Sequence, residues 1–360
     1  MTPRAFNDDG MGAIPVRYRA FKAITDGLER EGFLEVVKGF IDPTKLTTSK
    51  GLATRFRATT KLIDLAASYG ILLSEWASHF AMIPRPKAVA RPIQLRAKKN
   101  SKFKSDGLPV DLTNDEVRAF AKQVQDINGF MAGQDIQPCE WHFGFSRIFA
   151  NGDDPDFAWN KGARLYSYAF GKGYQQVPKE DRRLLTINSE PTVEVDISAS
   201  YLTIFHELMG VPPPADPYDV PGLPRSIVKI WVTITLGHTG FHRGWPLAAK
   251  RRYTKASEIG PVDLQRAYPF RHVQDAVLAH LPVLKDWPKN PITWADLQFR
   301  ESSAIVDSVH RLAMVHGVAA LPLHDALIVP KSKAALAEKI LSDCFHHHVG
   351  VRPSIKVKGA

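Results

Sequence analysis

The stretch that most constrains this chain is Pro191–Gly210, PTVEVDISASYLTIFHELMG. Its first half alternates apolar and polar residues, which predicts a β-strand. Asp196 stands at the end of that strand, where a helical pattern begins, and carboxylates in such turns often bind metal ions. A second stretch, Leu321–Pro330 (LPLHDALIVP), predicts two short strands around His324-Asp325. Together the two stretches predict two aspartates side by side on one sheet.

The charge of the chain predicts a polyanionic partner. Lysine and arginine number 47 against 37 acidic residues, giving a net charge of +10. Such a balance favours nucleic acid first and an acidic membrane surface second. No apolar run approaches the roughly 18 residues of a transmembrane helix, so we expect no membrane partner. Two cysteines make no disulfide framework, which favours a reduced, cytoplasmic setting, and the oligomeric state stays open.

The first 84 residues predict a small α+β module. From residue 16 to Gly70 the patterns follow the order helix, strand, strand, helix, and Thr59 or Thr60 is placed to cap the second helix. This order is compatible with a winged-helix-like module that binds DNA. A small subdomain with solvated arginines is the alternative.

Residues 85–110 predict a basic linker. From Arg85 to Lys104 lysines and arginines recur without any acidic residue, and the prolines oppose a helix. We expect an extended arm that includes a short strand at Pro92–Arg96. Such an arm is suited to follow a phosphate backbone, although a merely solvated linker fits equally well.

Residues 111–154 predict a helical, thumb-like region. Asn114 is placed to cap a helix that runs from Asp115 to about Phe130. Glu140–Phe149, which mixes aromatic and charged residues, is interpreted as a further helix. The region before the palm-like motifs is therefore expected to be mainly helical.

A series of short motifs then follows in a fixed order. They are GARLYS at Gly162–Ser167, YQQVPKEDRR at Tyr174–Arg183, VEVDISASY ending at Tyr201, RSIVK at Arg225–Lys229, and His324-Asp325. This series resembles the palm and the start of the fingers in family A DNA polymerases, the single-subunit right-hand enzymes related to the phage-type RNA polymerases. The resemblance covers about half of the chain. It implies an α+β palm with an antiparallel sheet and helical fingers, spanning residues 155–360, with the fingers at about 211–290.

The resemblance implies a two-metal nucleotidyl transfer. Asp196, Asp325 and the Ile197 carbonyl would hold two Mg²⁺ ions, for which Mn²⁺ can substitute. Arg225 and Lys229 are four residues apart, so on a helix they share one face and would bind the nucleotide triphosphate. Lys229 is also the expected donor of a proton to the leaving pyrophosphate.

Tyr201 is the expected sugar gate. A bulky residue five positions after the first aspartate blocks the ribose 2′-hydroxyl in DNA-synthesising polymerases, so Tyr201 implies deoxynucleotides; a core tyrosine is the alternative. The aromatic residues usual in family A fingers are replaced here, and Trp231 or His238 would take over base stacking. Expected nucleic-acid contacts are basic or polar side chains: Arg164, Arg182, Arg183, Lys250, Arg251, Arg252, Gln298 and His324.

The expected function is a compact, template-directed DNA polymerase whose partners are a DNA primer-template and dNTPs. No Asp-x-Glu pair typical of a proofreading exonuclease precedes the palm-like motifs. The nearest alternative is a single-subunit RNA polymerase or primase. A metal phosphohydrolase of the HD type would instead carry His324-Asp325 on a helix. A non-catalytic DNA-binding replication protein is the remaining alternative.

Overall fold

The computed structural model describes residues 18–39, 53–79, 91–98, 107–138, 142–169, 173–256 and 263–359. The chain divides into two compact units. The small unit comprises Met1–Ala88 and Tyr168–Gly173, and the large unit comprises Val89–Ser167 and Tyr174–Ala360. The N-terminal lead and most of the basic linker lie outside the described residues.

The small unit has the expected order of elements. It contains α1 (Tyr18–Arg30), β1 (Leu34–Val37), β2 (Arg55–Ala58), α2 (Thr60–Ser68) and α3 (Trp76–His79). The two strands pair antiparallel. Thr59 is the N-cap of α2, and its side chain accepts a hydrogen bond from the Leu62 amide. The predicted helix, strand, strand and helix are therefore confirmed.

The large unit begins with a three-stranded sheet and a helix. Its first elements are β3 (Ile93–Leu95), α4 (Asp115–Met131), β4 (Ile136–Gln137), β5 (His142–Phe149) and β6 (Gly162–Ala169). The sheet has the order β3-β5-β6, and β3 pairs with β5 in parallel. The Asn114 side chain caps α4, as predicted. The short strand expected within the basic arm is confirmed as β3.

The helix expected at Glu140–Phe149 is wrong, because the described part of this segment, His142–Phe149, forms β5. Phe145 and Phe149 are fully buried, and Ser146 and Arg147 between them are buried as well. A strand covered on both faces loses the alternation of apolar and polar residues that identifies strands in a sequence. The sequence of this segment therefore lacks the alternation that would have predicted a strand.

The large unit also contains a second sheet, of six strands. One of them is β4, and the others are β7 (Thr186–Ile187), β8 (Glu190–Ile197), β9 (Leu321–Leu323), β10 (Ala326–Pro330) and β11 (Ile355–Lys358). The order is β4-β7-β8-β10-β9, with β11 also paired to β8. Every pairing in this sheet is antiparallel. The expected α+β class with an antiparallel sheet is confirmed.

Helices cover this sheet and extend beyond it. They are α5 (Lys179–Arg182), α6 (Ser200–Leu208), α7 (Arg225–Leu236), α8 (Leu247–Ala256), α9 (Leu264–Ala267), α10 (Phe270–His280), α11 (Trp294–His316) and α12 (Ala334–Val349). The longest helix, α11, packs against α4, α6 and α12. Its start has a capping box between Thr293 and Asp296, and Gly317 ends it in the left-handed conformation. Among the described residues, no helix is long and apolar enough to cross a bilayer.

A buried arginine connects α4, the β3-β5-β6 sheet and α11. The guanidinium of Arg147 donates hydrogen bonds to the Ala163 carbonyl, the Gln123 side chain and the Ser303 hydroxyl. Its planar group lies 4.5 Å from the centre of the Phe120 ring. A buried cation is stable only when its donors are satisfied in this way.

Arg147→Ala should lower the free energy of unfolding by about 2–4 kcal/mol, because it leaves buried acceptors without a donor and opens a cavity. Urea unfolding measures this change. The matched control is Arg118→Ala, which removes an exposed arginine from α4 and should stay within about 0.5 kcal/mol of wild type. A loss below about 1 kcal/mol for Arg147→Ala would contradict the structural role of this residue.

Candidate active site

The pairing of β8 with β10 brings Asp196 and Asp325 together. In the register of this pair Asp196 lies opposite Ala326, the residue after Asp325. The Ile197 amide donates to the Asp325 carbonyl at 3.0 Å. His324 occupies the turn between β9 and β10 with a φ of 54°. The expectation that the two aspartates lie side by side on one sheet is therefore confirmed, and His324-Asp325 lies in a hairpin and not on a helix.

The turn after β8 places Tyr201 close to the aspartates. Ala199 has a φ of 54°, a left-handed conformation that few residues other than glycine adopt. It reverses the chain so that α6 begins at Ser200, directly after the strand. The Ser198 amide is held by the Ser354 carbonyl at 2.8 Å. Tyr201 therefore lies in the first turn of α6.

The site concentrates negative charge. Burial, followed by the nearby charges of Glu301 and Asp196, raises the pKa of Asp325 to about 7. Glu301 projects from α11 and is only 1% exposed. Carboxylates in such proximity disfavour one another's ionisation, and a bound cation relieves that repulsion. The charge distribution therefore fits a divalent cation at this position.

A lysine partly balances the negative charge of these carboxylates. Lys358 of β11 has its Nζ atom 2.6 Å from Oδ2 of Asp196. Among the described residues, no cluster of three or more His, Cys, Asp or Glu side chains suited to a metal occurs. Two carboxylates and a backbone oxygen are the protein ligands that this site offers. Mg²⁺ commonly completes such a set with water and substrate phosphates.

A hydrogen-bonded network fixes Tyr201. Arg164 of β6 forms an ion pair with Glu301 at 2.5 Å and lies 3.4 Å from the Tyr201 hydroxyl. Gln298 donates to the same hydroxyl at 3.2 Å, and a second nitrogen of Arg164 lies 3.4 Å from Nδ1 of His324. Four of the residues expected at a nucleotide or nucleic-acid site thus lie together. Arg164 connects Tyr201 to His324, and Glu301 of α11 holds Arg164 in place.

The ionisation of this network is set by burial and by Glu301. Burial alone lowers the pKa of Arg164, but the Glu301 carboxylate raises it above its ordinary value, so the guanidinium stays charged. Burial, and then the Glu301 charge, also raises the pKa of Tyr201. The phenol therefore stays protonated and can donate or accept a hydrogen bond at neutral pH.

The start of α7 presents two cations on one face. Arg225 is the first residue of the helix after Pro224, and Lys229 follows four residues later and is exposed. The Arg225 guanidinium lies 3.4 Å from Asp216 and 4.8 Å from the centre of the Tyr218 ring. Both cations lie where the sequence predicted them, at the beginning of a helix.

Tyr218 connects α7 to the aspartates electrostatically. Burial raises its pKa to about 12, with Arg225 acting in the opposite direction and the Asp325 charge adding to the increase. The start of α7 and Asp325 therefore act on the same phenol. Sequence reasoning missed Tyr218 and Lys358, because neither lies in a motif and both reach the site through long-range packing.

Two residues expected to contact nucleic acid or bases are engaged within the protein or buried. Arg182 pairs with Glu194 at 3.3 Å and donates to the Val177 carbonyl at 2.9 Å, so it stabilises the sheet. Trp231 is fully buried in α7, so the expectation that it stacks on bases is wrong. Its helical position points it into the core. His238 is exposed just after that helix.

Three other basic residues of the expected nucleic-acid set are accessible. Arg183 follows α5, and Lys250 and Arg251 lie on α8, all with exposed side chains. Arg252 belongs to the same helix, but its side chain lies outside the description. Neither Arg183 nor Arg251 is among the described side chains that form the network around Tyr201.

No known protein family matches the chain. No curated protein is similar to it either. The functional inference therefore depends on the residues and geometry of the site itself.

Asp325→Asn should stabilise the metal-free protein at neutral pH. The unfolded chain ionises Asp325 above its ordinary pKa of 3.8, whereas the folded chain does so only near pH 7. The destabilisation by this carboxylate therefore grows as pH rises from about 4 to 7 and then stays constant. In EDTA, we expect a gain on the order of 4 kcal/mol at pH 8 and a smaller gain at pH 5.

Urea unfolding at both pH values tests this expectation. The control is Asp343→Asn, because hydrogen bonds from Arg352 and Lys339 lower the pKa of the Asp343 carboxyl and its charge is favourable. That variant should gain no stability at either pH. An Asp325→Asn protein no more stable than wild type at pH 8 would show that neither burial nor the neighbouring carboxylates destabilise the charge of Asp325.

Proposed function

We propose that this protein is a template-directed nucleotidyltransferase, a compact DNA polymerase with a palm built on the β8–β10 pair. The observation that carries the proposal is the juxtaposition of Asp196, at the end of β8, and Asp325, in the turn before the adjacent strand β10. Burial, followed by the charges of Glu301 and Asp196, raises the pKa of Asp325. Perturbed carboxylates of this kind are frequent at catalytic centres. The nearby cations of α7 and the gate-like position of Tyr201 add support.

The aspartates and the Ile197 carbonyl would hold two Mg²⁺ ions, and Mn²⁺ can replace them. When bound, the two ions stabilise the attacking and leaving oxygens of an in-line displacement. Arg225 and Lys229 bind the triphosphate of the incoming nucleotide. The primer 3′-hydroxyl loses its proton to water as its oxygen forms a bond to the α-phosphorus, the bond between the α-phosphorus and pyrophosphate breaks, and Lys229 donates a proton to the leaving pyrophosphate.

Tyr201 favours a deoxyribose in this account. Its ring stands in the first turn of α6, five residues beyond Asp196, and its hydroxyl is held by Gln298 and Arg164. Because α6 holds its backbone and these two side chains hold its hydroxyl, the ring cannot easily move away from a 2′-hydroxyl. The product is therefore proposed to be DNA and the substrates dNTPs.

The primer-template is proposed to lie against the basic surface of the chain. The net charge of +10 supplies the long-range attraction, and exposed Arg183, Lys250 and Arg251 are candidates for phosphate contacts. The described part of the basic arm, residues 91–98, adds Arg91, Arg96 and Lys98. Of these, Lys98 already pairs with Asp154 at 2.9 Å.

Asp196→Asn and Asp325→Asn should each reduce primer extension by at least about a thousandfold, which corresponds to about 4 kcal/mol of transition-state stabilisation. The measurement is extension of a labelled primer with four dNTPs and Mg²⁺. DNA affinity, measured by fluorescence anisotropy, should not fall, since each change removes a negative charge. Asp343→Asn, which changes a partly exposed aspartate of α12, should extend like wild type, and an active Asp325→Asn enzyme would rule out the proposed site.

Tyr201→Ala should raise the incorporation of ribonucleotides relative to deoxynucleotides by about a hundredfold, because the ring that would clash with the 2′-hydroxyl is gone. Single-nucleotide extension with matched dNTP and rNTP measures the ratio. Tyr201→Phe keeps the ring and should keep the preference for dNTPs. A wild-type enzyme that already prefers rNTPs would favour the RNA polymerase or primase instead.

A further inference from the structure

Strand β11 brings two lysines to the open face of β8. In the antiparallel register Lys356 lies opposite Asp196, and Lys358 lies opposite Glu194. Side chains two residues apart on a strand share a face, so all four charged groups lie on the same side of the sheet. The opposite face of β8 carries Val193, Val195 and Ile197, which are buried.

Lys358 forms an ion pair with a diagonal neighbour on β8 and not with the residue directly opposite it. Glu194, the residue across from it, is engaged by Arg182 at 3.3 Å. Lys358 reaches instead to Asp196, with its Nζ atom 2.6 Å from Oδ2. Diagonal neighbours in an antiparallel pair are within reach of a long side chain. Lys356 is exposed, and no ion pair involves it in the part of the chain that the structure describes.

We propose that Lys358 competes with a divalent cation for the Asp196 carboxylate and thereby sets the metal affinity of the site. This inference rests on the proposed role of Asp196 as a metal ligand. Mg²⁺ binds carboxylate oxygens at about 2.0–2.1 Å, so a bound ion and an ammonium on the same carboxylate would lie within a few ångströms of one another. Like charges at that separation repel strongly in a partly buried site.

The geometry allows the lysine to leave. Its side chain is 39% exposed, and the carboxylate that it contacts is 22% exposed. The ammonium can therefore move into solvent when a metal ion arrives, without disturbing the backbone pairing of β11. In the metal-free protein Lys358 acts as the counter-ion that limits repulsion between Asp196 and Asp325.

The test is Mn²⁺ binding to the full-length chain, measured by the electron paramagnetic resonance signal of free Mn²⁺. Lys358→Ala should bind Mn²⁺ about three- to tenfold more tightly than wild type, because the competing charge is removed. Lys356→Ala is the matched control, since it removes the same charge from the same face of the same strand. Its Mn²⁺ affinity should stay near that of wild type.

A second variant and a second measurement guard against misfolding. Lys358→Gln keeps most of the side chain and should also bind Mn²⁺ more tightly, and thermal unfolding in EDTA reports whether each variant is folded. Unchanged or weaker affinity in the Lys358 variants, or equal tightening in Lys356→Ala, would overturn the competition. Binding that is lost in Asp196→Asn but insensitive to Lys358 would overturn this inference alone. Mn²⁺ binding unaffected by Asp196→Asn would overturn the proposed metal site together with it.

Discussion

The antiparallel pairing of β8 with β10 is the interaction on which the candidate site depends. Val193, Val195 and Ile197 are buried on one face of β8, so the register of the pair is fixed by hydrophobic burial. A slip of one residue would turn these side chains toward the open face and send Asp196 into the core. The position of a charged, functional residue is therefore determined by its apolar neighbours.

The same arrangement concentrates carboxylates that would be more stable apart. Arg164 neutralises Glu301, and Lys358 neutralises part of the charge on Asp196. Asp325 receives only a weaker attraction from Arg164, and burial, followed by the charges of Glu301 and Asp196, raises its pKa. Sites that bind cations commonly retain such unfavourable charge, because the bound ion returns more stabilisation than the apo protein loses. The carboxylate repulsion that destabilises the metal-free protein is thus what would favour metal binding in the proposed function.

Local signals in the sequence predicted the framework well. The strand before Asp196, the hairpin around His324, and the caps at Thr59 and Asn114 all depend on residues close in the chain, and the structure contains each of them. The strand β5 was missed because burial of both faces removes its alternation.

Long-range features could not be predicted in this way. The contact of Lys358 with Asp196 depends on how β11 returns to the sheet, and Glu194, the residue opposite Lys358, pairs instead with Arg182. The position of Tyr218 between Arg225 and Asp325 likewise depends on packing across an irregular, proline-rich connection. Trp231 lies in a helix whose start was predicted correctly, but its burial follows from the neighbours of that helix.

The most direct measurement of the central claim is the choice of nucleotide on four templates that differ only in the first unpaired base. Purified wild-type protein, a fixed primer, Mg²⁺ and each dNTP in turn would be used. A template-directed polymerase incorporates the complementary nucleotide in each case, so the preferred dNTP changes with the template. Addition of the same nucleotide on every template, or no addition on any of them, would contradict the account.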